Sequence, residues 1–315
     1  MLKGELIFRK INSAFKLTMF YVNAGLNTIY YFLIPKGKKI VINGFFNRFL
    51  GHTVKNNLGD DLNFYLISKL SNKIVFSATN LLVKTNNILF IGSILQAYMN
   101  EKSVVWGAGT IQNNININVK PKQIKAVRGP LTRNWLIKND IKCPEIYSDP
   151  ALLMPLFYMP QKVKKYRYGI IPHYIDWNDP NINRLISLLN DNVCLINMAN
   201  YESIENVIDT INQCEYVLSS SLHGLILSDA YGIPNIWIEF SEKIAGNGFK
   251  FKDYFYSVNR EIEDSVSLTK GVNKEDIISK LLKYNHPQIN VLPILLNAPF
   301  DIPNNIIERA KEYYH

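Results

Sequence analysis

The stretch from Tyr216 to Phe240 places a short apolar run, a serine triplet, a helical pattern and a second apolar run next to one another. The serines are typical of a turn and a helix N-cap, and Gly232-Ile233-Pro234 is typical of a helix end. The pattern predicts a βαβ unit with its helix over Leu222–Ala230. Open α/β sheets bind ligands where strands end and helices begin, and the free N–H groups of a first helical turn favour an anion.

His223 lies in that first turn, beside the hydroxyls of Ser219, Ser220 and Ser221. An imidazole among hydroxyls and free amides suits an anionic substrate that must also exchange a proton. A structural interpretation stays open, in which the serines only cap the helix and His223 is a buried polar residue bonded to backbone.

Length and composition indicate a folded chain of two domains. With 315 residues, 47% hydrophobic and 19% charged, it is long enough for two cores and unlike a disordered chain. A net charge of +9 favours anionic partners such as phosphorylated metabolites or lipid surfaces, and no motif that reads nucleic acid accompanies it. Three cysteines without C-x-x-C spacing, and no cleavable signal pattern, predict a cytoplasmic protein without disulfides.

Strand and helix patterns alternate in both halves of the chain, which predicts an α/β fold. We expect two Rossmann-like, doubly wound domains, over 1–155 and 156–290, facing a cleft, with a linker at Met154–Tyr168 and a helical segment over 291–315 that packs back on the first domain. The predicted strands are Lys39–Gly44, Lys73–Ser77, Asn87–Ile91, Ser103–Trp106, Ile124–Val127, Glu145–Tyr147, Tyr168–Ile171, Val193–Asn197, Tyr216–Leu218 and the run after Pro234. The predicted helices are Leu62–Leu70, one starting at Pro130, Asn181–Leu189, Ser203–Gln213, Leu222–Ala230, Lys274–Lys283 and Asn304–Tyr314.

The first thirty-five residues are aromatic and basic, and no residue from Leu17 to Pro35 is charged. Asn23, Gly25 and Asn27 make that stretch too polar for a membrane-spanning helix. It predicts an amphipathic surface helix or a helix packed on the domain, and together with the net charge it suits reversible association with a membrane surface. The basic residues here are Lys3, Arg9, Lys10 and Lys16.

Charged residues follow several predicted strands of the first half. Asp60 or Asp61 can cap the helix after the first strand, or Asp60 can act catalytically, and both interpretations stay open. Arg128 follows the strand at Ile124–Val127 and is well placed for a carboxylate or phosphate. Arg133, one turn further on, is equally well explained as a solvated helix residue.

Several short motifs coincide in order and spacing. They are Asn57-Leu58-Gly59-Asp60, Trp106-Gly107-Ala108-Gly109, Arg128-Gly129-Pro130-Leu131-Thr132-Arg133, Ser148-Asp149-Pro150-Ala151, Pro172-His173-Tyr174 and Ser219 to Pro234. Through them the chain resembles the polysaccharide pyruvyl transferase family along most of its length. The resemblance implies an architecture similar to that of GT-B glycosyltransferases. It also implies transfer of the pyruvyl group of phosphoenolpyruvate to two hydroxyls of one sugar in a surface polysaccharide or exopolysaccharide precursor, with release of phosphate and no organic cofactor.

The resemblance places Asp60, Arg128 and His223 at positions of functional residues in the family. We expect His223 to act as the acid, Asp60 as the base and Arg128 as the anion-binding residue, with the acceptor on the first domain and the donor on the second. Substrate-binding residues are expected at Asn57, Gly59, Arg133, His173, Ser219, Ser220, Ser221, Gly224, Glu239 and Lys243.

One position departs from the resemblance. Some relatives have an arginine where this chain has Ser221, so that the helix amides, Arg133 or Lys243 would have to hold the donor phosphate instead. A loop role explains His173 equally well. No metal site is expected, because nothing in the spacing places the candidate ligands on a common face. Those candidates are Asp149, His173, Asp176 and His223.

Two other functions remain open from the sequence. A GT-B-like glycosyltransferase would use a nucleotide sugar, with Glu239 holding the ribose. A non-catalytic glycan- or anion-binding protein would bind without turnover. For the transferase we expect an acceptor on a lipid carrier at the inner face of the membrane, and no nucleic acid partner.

Overall fold

A computed structural model describes residues 2–46, 48–49, 52–53, 57–114, 116–161, 163–261 and 264–314, the side chains of 2–17, 48–49 and 52–53 excepted. The basic side chains of the first sixteen residues therefore lie outside the described part.

The strands and helices alternate along the chain as predicted. The strands are β1 (Lys39–Ile42), β2 (Arg48–Phe49), β3 (His52–Thr53), β4 (Ile74–Ser77), β5 (Asn87–Leu89), β6 (Ser103–Trp106), β7 (Gln123–Ala126), β8 (Tyr166–Ile171), β9 (Val193–Leu195), β10 (Cys214–Ser219), β11 (Asn235–Glu239) and β12 (Val266–Ser267). The α-helices are α1 (Leu2–Leu33), α2 (Leu58–Ser71), α3 (Leu95–Tyr98), α4 (Pro130–Lys138), α5 (Pro180–Leu189), α6 (Ile204–Asn212), α7 (Leu222–Ala230), α8 (Phe249–Ser257), α9 (Lys274–Leu282), α10 (Leu292–Leu296) and α11 (Asn304–Tyr314). Short 3-10 helices occupy Lys36–Lys38, Ala78–Asn80, Pro150–Leu156, Tyr174–Asp176 and Leu268–Lys270.

Two five-stranded parallel sheets organise the chain. Their strand orders are β4-β1-β5-β6-β7 and β12-β11-β10-β8-β9. Numbered by the order in which the chain enters each sheet, both have the doubly wound order 2-1-3-4-5. The α/β fold class with two Rossmann-like domains, as in GT-B proteins, is therefore confirmed.

The strand order fixes where ligands are expected. In this topology the crevice lies at the carboxyl ends of the first and third strands, where the chain reverses its direction across the sheet. These strands are β1 and β5 in the first sheet and β8 and β10 in the second. The Ser219–Ser221 turn therefore follows one of the two strands that flank the crevice of the second sheet.

The hydrophobic core is continuous between the sheets. One buried cluster includes Ile42 of the first sheet, Val217 of the second and Ile306 of α11. The C-terminal segment also contacts Trp106, whose Nε1 donates to the carbonyl of Ile294 at 2.8 Å. The domain boundaries at 155 and 290 stay a prediction.

Several elements differ from the sequence-based expectation, and three of them bear on the site or the domain boundary. Glu145–Tyr147 forms only a single bridge from Tyr147 to Val127, not a strand. The predicted linker begins with the buried 3-10 helix Pro150–Leu156. Helix α8 was not predicted, because its sequence FKFKDYFYS has aromatic residues of modest helix propensity and Gly248, without a capping side chain, at its N-cap. Its packing against α4 supplies the stabilisation that propensity does not.

The aromatic N-terminal stretch forms the long helix α1, and its end packs on the 3-10 helix Ala78–Asn80. Within the described residues, no helix combines the length and the hydropathy that crossing a bilayer requires.

Candidate functional site

The start of α2 places Asp60 in the first helical turn. The helix begins at Leu58, earlier than predicted, and Asn57 caps it by accepting a hydrogen bond from the Gly59 N–H at 3.2 Å. The proposed capping role of Asp60 or Asp61 is therefore wrong, and it is Asn57 that caps. Burial and the neighbouring charge of Asp61 raise the pKa of Asp60 to about 7.

A buried amide fixes α2 at the crevice of the first sheet. Asn63 accepts from the N–H of Ile91 at 2.9 Å and donates to its carbonyl at 3.2 Å. Ile91 lies just beyond the end of β5, so this pair ties the first two turns of α2 to the carboxyl edge of the sheet. The sequence analysis missed this role; the asparagine in an otherwise apolar helix face was the available signal.

The serine triplet builds the turn between β10 and α7. Ser219 Oγ accepts from the N–H of Ser221 at 3.0 Å, and Ser220 Oγ accepts from the N–H of His173 at 2.8 Å. Both side chains are buried. Ser221 is the N-cap residue, but its side chain makes no capping bond. All three hydroxyls were expected to face an anion. Those of Ser219 and Ser220 take part in the hydrogen bonds that shape the turn, which leaves the hydroxyl of Ser221 for an anion.

His223 stands where the two crevices meet. Its ring lies against Gly59, where an added Cβ would come within 2.2 Å of Nδ1. The close approach therefore requires glycine at the start of α2. Nε2 of His223 is buried and has no hydrogen-bond partner among the described residues. This nitrogen is therefore available to a ligand or to water.

Positive charges surround this histidine. Burial, with the charges of Lys250, Arg128 and His173, lowers the pKa of His223 to about 3. Burial and the charge of Lys250 lower the pKa of His173 to about 3 as well. Without a ligand both imidazoles are therefore neutral near pH 7, and the site carries the unbalanced charge of Lys250.

Lys250 is the functional candidate that the sequence analysis missed. It lies in the first turn of α8 and is half-buried, and burial together with Arg128 lowers its pKa to about 8. No carboxylate of the described residues pairs with it. Lys250 is a lysine whose charge lowers the pKa of His223. Lys243, which was considered from the sequence as a residue that holds the donor phosphate, pairs with Asp179 instead. No local pattern pointed to it, because α8 itself was not predicted.

Arg128 is fully buried in an ion pair that joins the two domains. Nε donates to Asp253 Oδ2 at 3.0 Å, and the other guanidinium nitrogens donate to Ser93 Oγ and to the carbonyl of Thr110, each at 2.7 Å. Asp253, on α8, also accepts from the N–H and hydroxyl of Thr132 at 2.9 and 2.6 Å. We call these five residues the Arg128 cluster. Binding of the donor by Arg128 stays a prediction; the contact seen is structural.

Asp149 and Asp176 each use one carboxylate oxygen in a hydrogen bond within the fold, and the second oxygen of each is buried without a partner among the described residues. Asp149 caps the 3-10 helix at Pro150–Leu156 by accepting from the N–H of Ala151 at 3.0 Å, and burial raises its pKa to about 6. Asp176 accepts from Ser241 Oγ at 2.5 Å. Among the residues with described side chains, no group of three His, Cys, Asp or Glu is arranged to hold a metal ion.

Three predicted binding residues pair with side chains outside the His223 surroundings. Arg133 pairs with Glu145 at 2.9 Å, and Lys243, 60% exposed, pairs with Asp179 at 3.4 Å. Glu239 accepts a hydrogen bond from Ser265. By contrast, Gly59, Asp60, His173, the serine triplet, His223 and Gly224 are brought to the facing starts of α2 and α7. We call His223, His173 and Lys250, with Asp60 on the facing helix, the His223 cluster.

The His223 cluster combines three chemical capacities. Asp60, with its raised pKa, can hold a proton near neutral pH, and the neutral His223 can accept one once a bound anion raises its pKa. Lys250 and the free N–H groups at the start of α7 can bind an anion. An anionic substrate that gains and loses protons fits this combination.

Comparison with known proteins identifies the family of the chain. Residues 48–242 match the family model described as polysaccharide pyruvyl transferase. The chain is 31% identical over 209 residues to the succinoglycan biosynthesis protein ExoV of Rhizobium meliloti (strain 1021), covering 63% of this chain and 60% of that protein. It is 30% identical over 206 residues to the uncharacterized protein L143 of Acanthamoeba polyphaga mimivirus, covering 63% and 69%. Because the family match extends over more than half of its residues, the chain belongs to the polysaccharide pyruvyl transferase family.

Proposed function

We propose that this chain transfers the pyruvyl group of phosphoenolpyruvate to two hydroxyls of one sugar residue, forming a cyclic ketal and releasing phosphate. The observation that carries the proposal is the contact of His223 with Gly59, which brings an imidazole with an unpartnered Nε2 to the helix that carries Asp60. Family membership supports the pyruvyl donor, and the name of the Rhizobium relative supports a glycan acceptor.

The donor would bind with its anionic groups toward Lys250 and the first turn of α7. Both features lie beside His223, and no carboxylate of the described residues neutralises Lys250. The hydroxyl of Ser221, which makes no capping bond, is available to donate to the same anion. Some relatives have an arginine immediately before the Leu-His-Gly sequence. In this chain Lys250, the first turn of α7 and Ser221 would bind the donor in its place.

The reaction balances without an organic cofactor. Protonation of the methylene carbon of phosphoenolpyruvate gives a methyl group and an electron-poor C2, which the first sugar hydroxyl attacks as it loses its proton. The bond from C2 to the phosphate oxygen then breaks, phosphate leaves, and the second hydroxyl attacks C2 and loses its proton. Of the two protons released by the hydroxyls, one replaces that given to the methyl group and one is carried by phosphate.

The pKa values favour Asp60 as the acid and His223 as the base. Asp60, with a pKa raised to about 7, is partly protonated at neutral pH and can supply the proton for the methylene carbon. His223, with a pKa lowered to about 3, is neutral, and the negative charge of a bound donor would raise this pKa and let the imidazole accept the proton of the attacking hydroxyl. This assignment reverses the one based on the sequence, because the surrounding cations were not visible there.

The acceptor is proposed to be a polysaccharide precursor, and a lipid-linked precursor would place the reaction at the cytoplasmic face of a membrane. The experiment is incubation with phosphoenolpyruvate and a panel of synthetic and lipid-linked glycosides, followed by mass spectrometry and phosphate detection. We expect one product that contains the ketal and one equivalent of phosphate for each product formed. Release of a nucleoside diphosphate from a nucleotide sugar would instead show a glycosyltransferase. Donor binding without turnover on any acceptor would favour a non-catalytic binding protein.

A further inference from the structure

Over the part of helix α1 whose side chains are described, residues 18–33, a mixed polar and apolar face packs on the protein and a more apolar face is exposed. On the inward face Asn23 and Ala24 are almost fully buried. Thr28 donates to the carbonyl of Ala24 at 2.7 Å and accepts from the N–H of Leu82 at 2.9 Å. The ring of Tyr31 packs on Phe76. A surface helix of a water-soluble domain normally has the opposite orientation.

The outward face is apolar over a wide arc. Leu26, Ile29 and Leu33 are 51%, 60% and 73% exposed, and with Val22 they form one line along the helix at spacings of three and four residues. Tyr30 and Phe32, also exposed, flank that line on its two sides. At about 100° per residue the exposed apolar arc covers roughly half of the helix circumference. Contiguous apolar surface of this kind marks an interaction site.

Positive charge borders the apolar arc. Lys36 and Lys38, directly after α1, are exposed. Residues 1–39 contain seven lysine and arginine residues, against the single acidic residue Glu5. An apolar strip with neighbouring cations is complementary to a membrane whose surface carries anionic lipids.

We propose that the outward face of α1 is a membrane-docking surface that seats this protein on anionic bilayers, with α1 lying in the plane of the interface. Its apolar side chains enter the boundary between headgroups and acyl chains, while Lys36 and Lys38 contact anionic headgroups. The width of the arc favours this partner over a second copy of the chain, because two paired helices bury a narrow seam and would leave Tyr30 and Phe32 in water.

Vesicle flotation tests the proposal, using the full-length protein with phosphatidylcholine vesicles that contain or lack phosphatidylglycerol. We expect binding to the anionic vesicles that weakens as salt is raised. The triple variant Leu26→Ser/Ile29→Ser/Leu33→Ser should bind at least about tenfold more weakly, since three inserted side chains are lost. The matched control Leu282→Ser/Leu296→Ser removes leucines that are 73% and 67% exposed elsewhere, and should bind like the unchanged protein.

If the triple variant does not fold, a second variant that removes positive charge still tests the proposal. Lys36→Gln/Lys38→Gln should weaken binding to anionic vesicles by about fivefold for each lysine, and the exposed pair Lys270→Gln/Lys283→Gln should change it less. Absence of vesicle binding by the unchanged protein, or equal binding by the triple variant, would overturn the proposal. A dimer that the triple variant converts to a monomer, without vesicle binding, would identify a second copy as the occupant.

Discussion

The Arg128 cluster and the His223 cluster lie side by side between the domains. The charges of the Arg128 cluster are paired, whereas Lys250 of the His223 cluster has no paired carboxylate among the described residues. In the Arg128 cluster each guanidinium nitrogen has a hydrogen-bond acceptor, and Asp253 accepts from both Arg128 and Thr132. In the His223 cluster Nε2 of the histidine is orphaned and Lys250 has no carboxylate among the described residues. A buried network in which every polar group has a partner holds structural elements together. A neighbouring cluster with unpaired polar atoms is available to bind a ligand.

Helix α8 belongs to both clusters. The charge of Lys250 lowers the pKa of both histidines, and Asp253, less than one turn later, binds Arg128 of the first domain. Tyr254 anchors the same helix to the second domain by donating to Asp229 at 2.8 Å. The ion pair between Arg128 and Asp253 therefore also positions Lys250. A substitution in one cluster should for this reason affect the other cluster.

Loss of His223 should give the largest effect on activity. We expect His223→Gln to lower kcat by about 10²–10⁴, since a positioned proton acceptor is lost, with little change in melting temperature. The exposed residue His286 supplies the control variant His286→Gln, which should keep full activity. If His223→Gln turns over almost as fast as the unchanged enzyme, the histidine has no part in the mechanism. The proposed difference in function between the two clusters would then be wrong.

Loss of Arg128 should instead act mainly on stability. Arg128→Ala leaves the buried Asp253 without its counter-ion, which should cost about 3–5 kcal/mol in the free energy of unfolding. Lys243→Ala, which breaks the exposed pair with Asp179, should change that free energy by less than about 1 kcal/mol. Urea unfolding of both variants measures the difference. A stable Arg128→Ala protein with a raised donor KM would assign Arg128 to the donor, as the sequence suggested.

Loss of Lys250 should act on the donor alone. We expect Lys250→Ala to raise the KM for phosphoenolpyruvate about tenfold or more and to leave the acceptor KM unchanged, because one charge-assisted contact to the donor is removed. Lys252→Ala, on the same helix and paired with the exposed Asp264, is the matched control. Steady-state kinetics with each substrate varied in turn would separate the two effects. Equal loss of affinity for both substrates would place Lys250 outside the donor subsite.

The pH dependence distinguishes the two assignments of acid and base. If protonated Asp60 is the acid, kcat/KM for the donor should fall as pH rises through about 7, and Asp60→Asn should lose turnover at every pH. If protonated His223 is the acid, kcat/KM should already decline as pH rises above about 3.

The pH dependence of stability gives an independent check on Asp60. Its pKa is raised from 3.8 to about 7 in the folded chain, so folding favours the protonated carboxyl. The stability that this residue contributes is present at pH 4 and is lost as pH rises through about 7. Asp60→Asn, neutral throughout, should show a melting temperature that changes less over this interval and is not lowered at pH 8. A marked drop at pH 8 would show that the carboxylate stabilises the fold.

The local patterns were sufficient for the fold and for part of the site. The serine triplet, the helix over Leu222–Ala230 and its end before Pro234 were predicted correctly, since capping, periodicity and turn residues act over a few neighbouring positions. The prediction was wrong for Glu145–Tyr147, which was expected to be a strand, and it missed helix α8. In both segments, contacts with another strand or helix decide whether the element forms, and the segment's own sequence does not.

By itself, then, the sequence determined the alternation of strands and helices, the family motifs and the position of His223 at a helix start. Only the tertiary structure decided that Arg128 pairs with Asp253, 125 residues away, and that Lys250 lies near His223. It also decided that α1 turns its apolar face outward. The physical reason is range: helix caps and hydrophobic periods are set by neighbours in the chain, whereas burial, charge pairing and pKa values depend on groups that meet only when the sheets pack together.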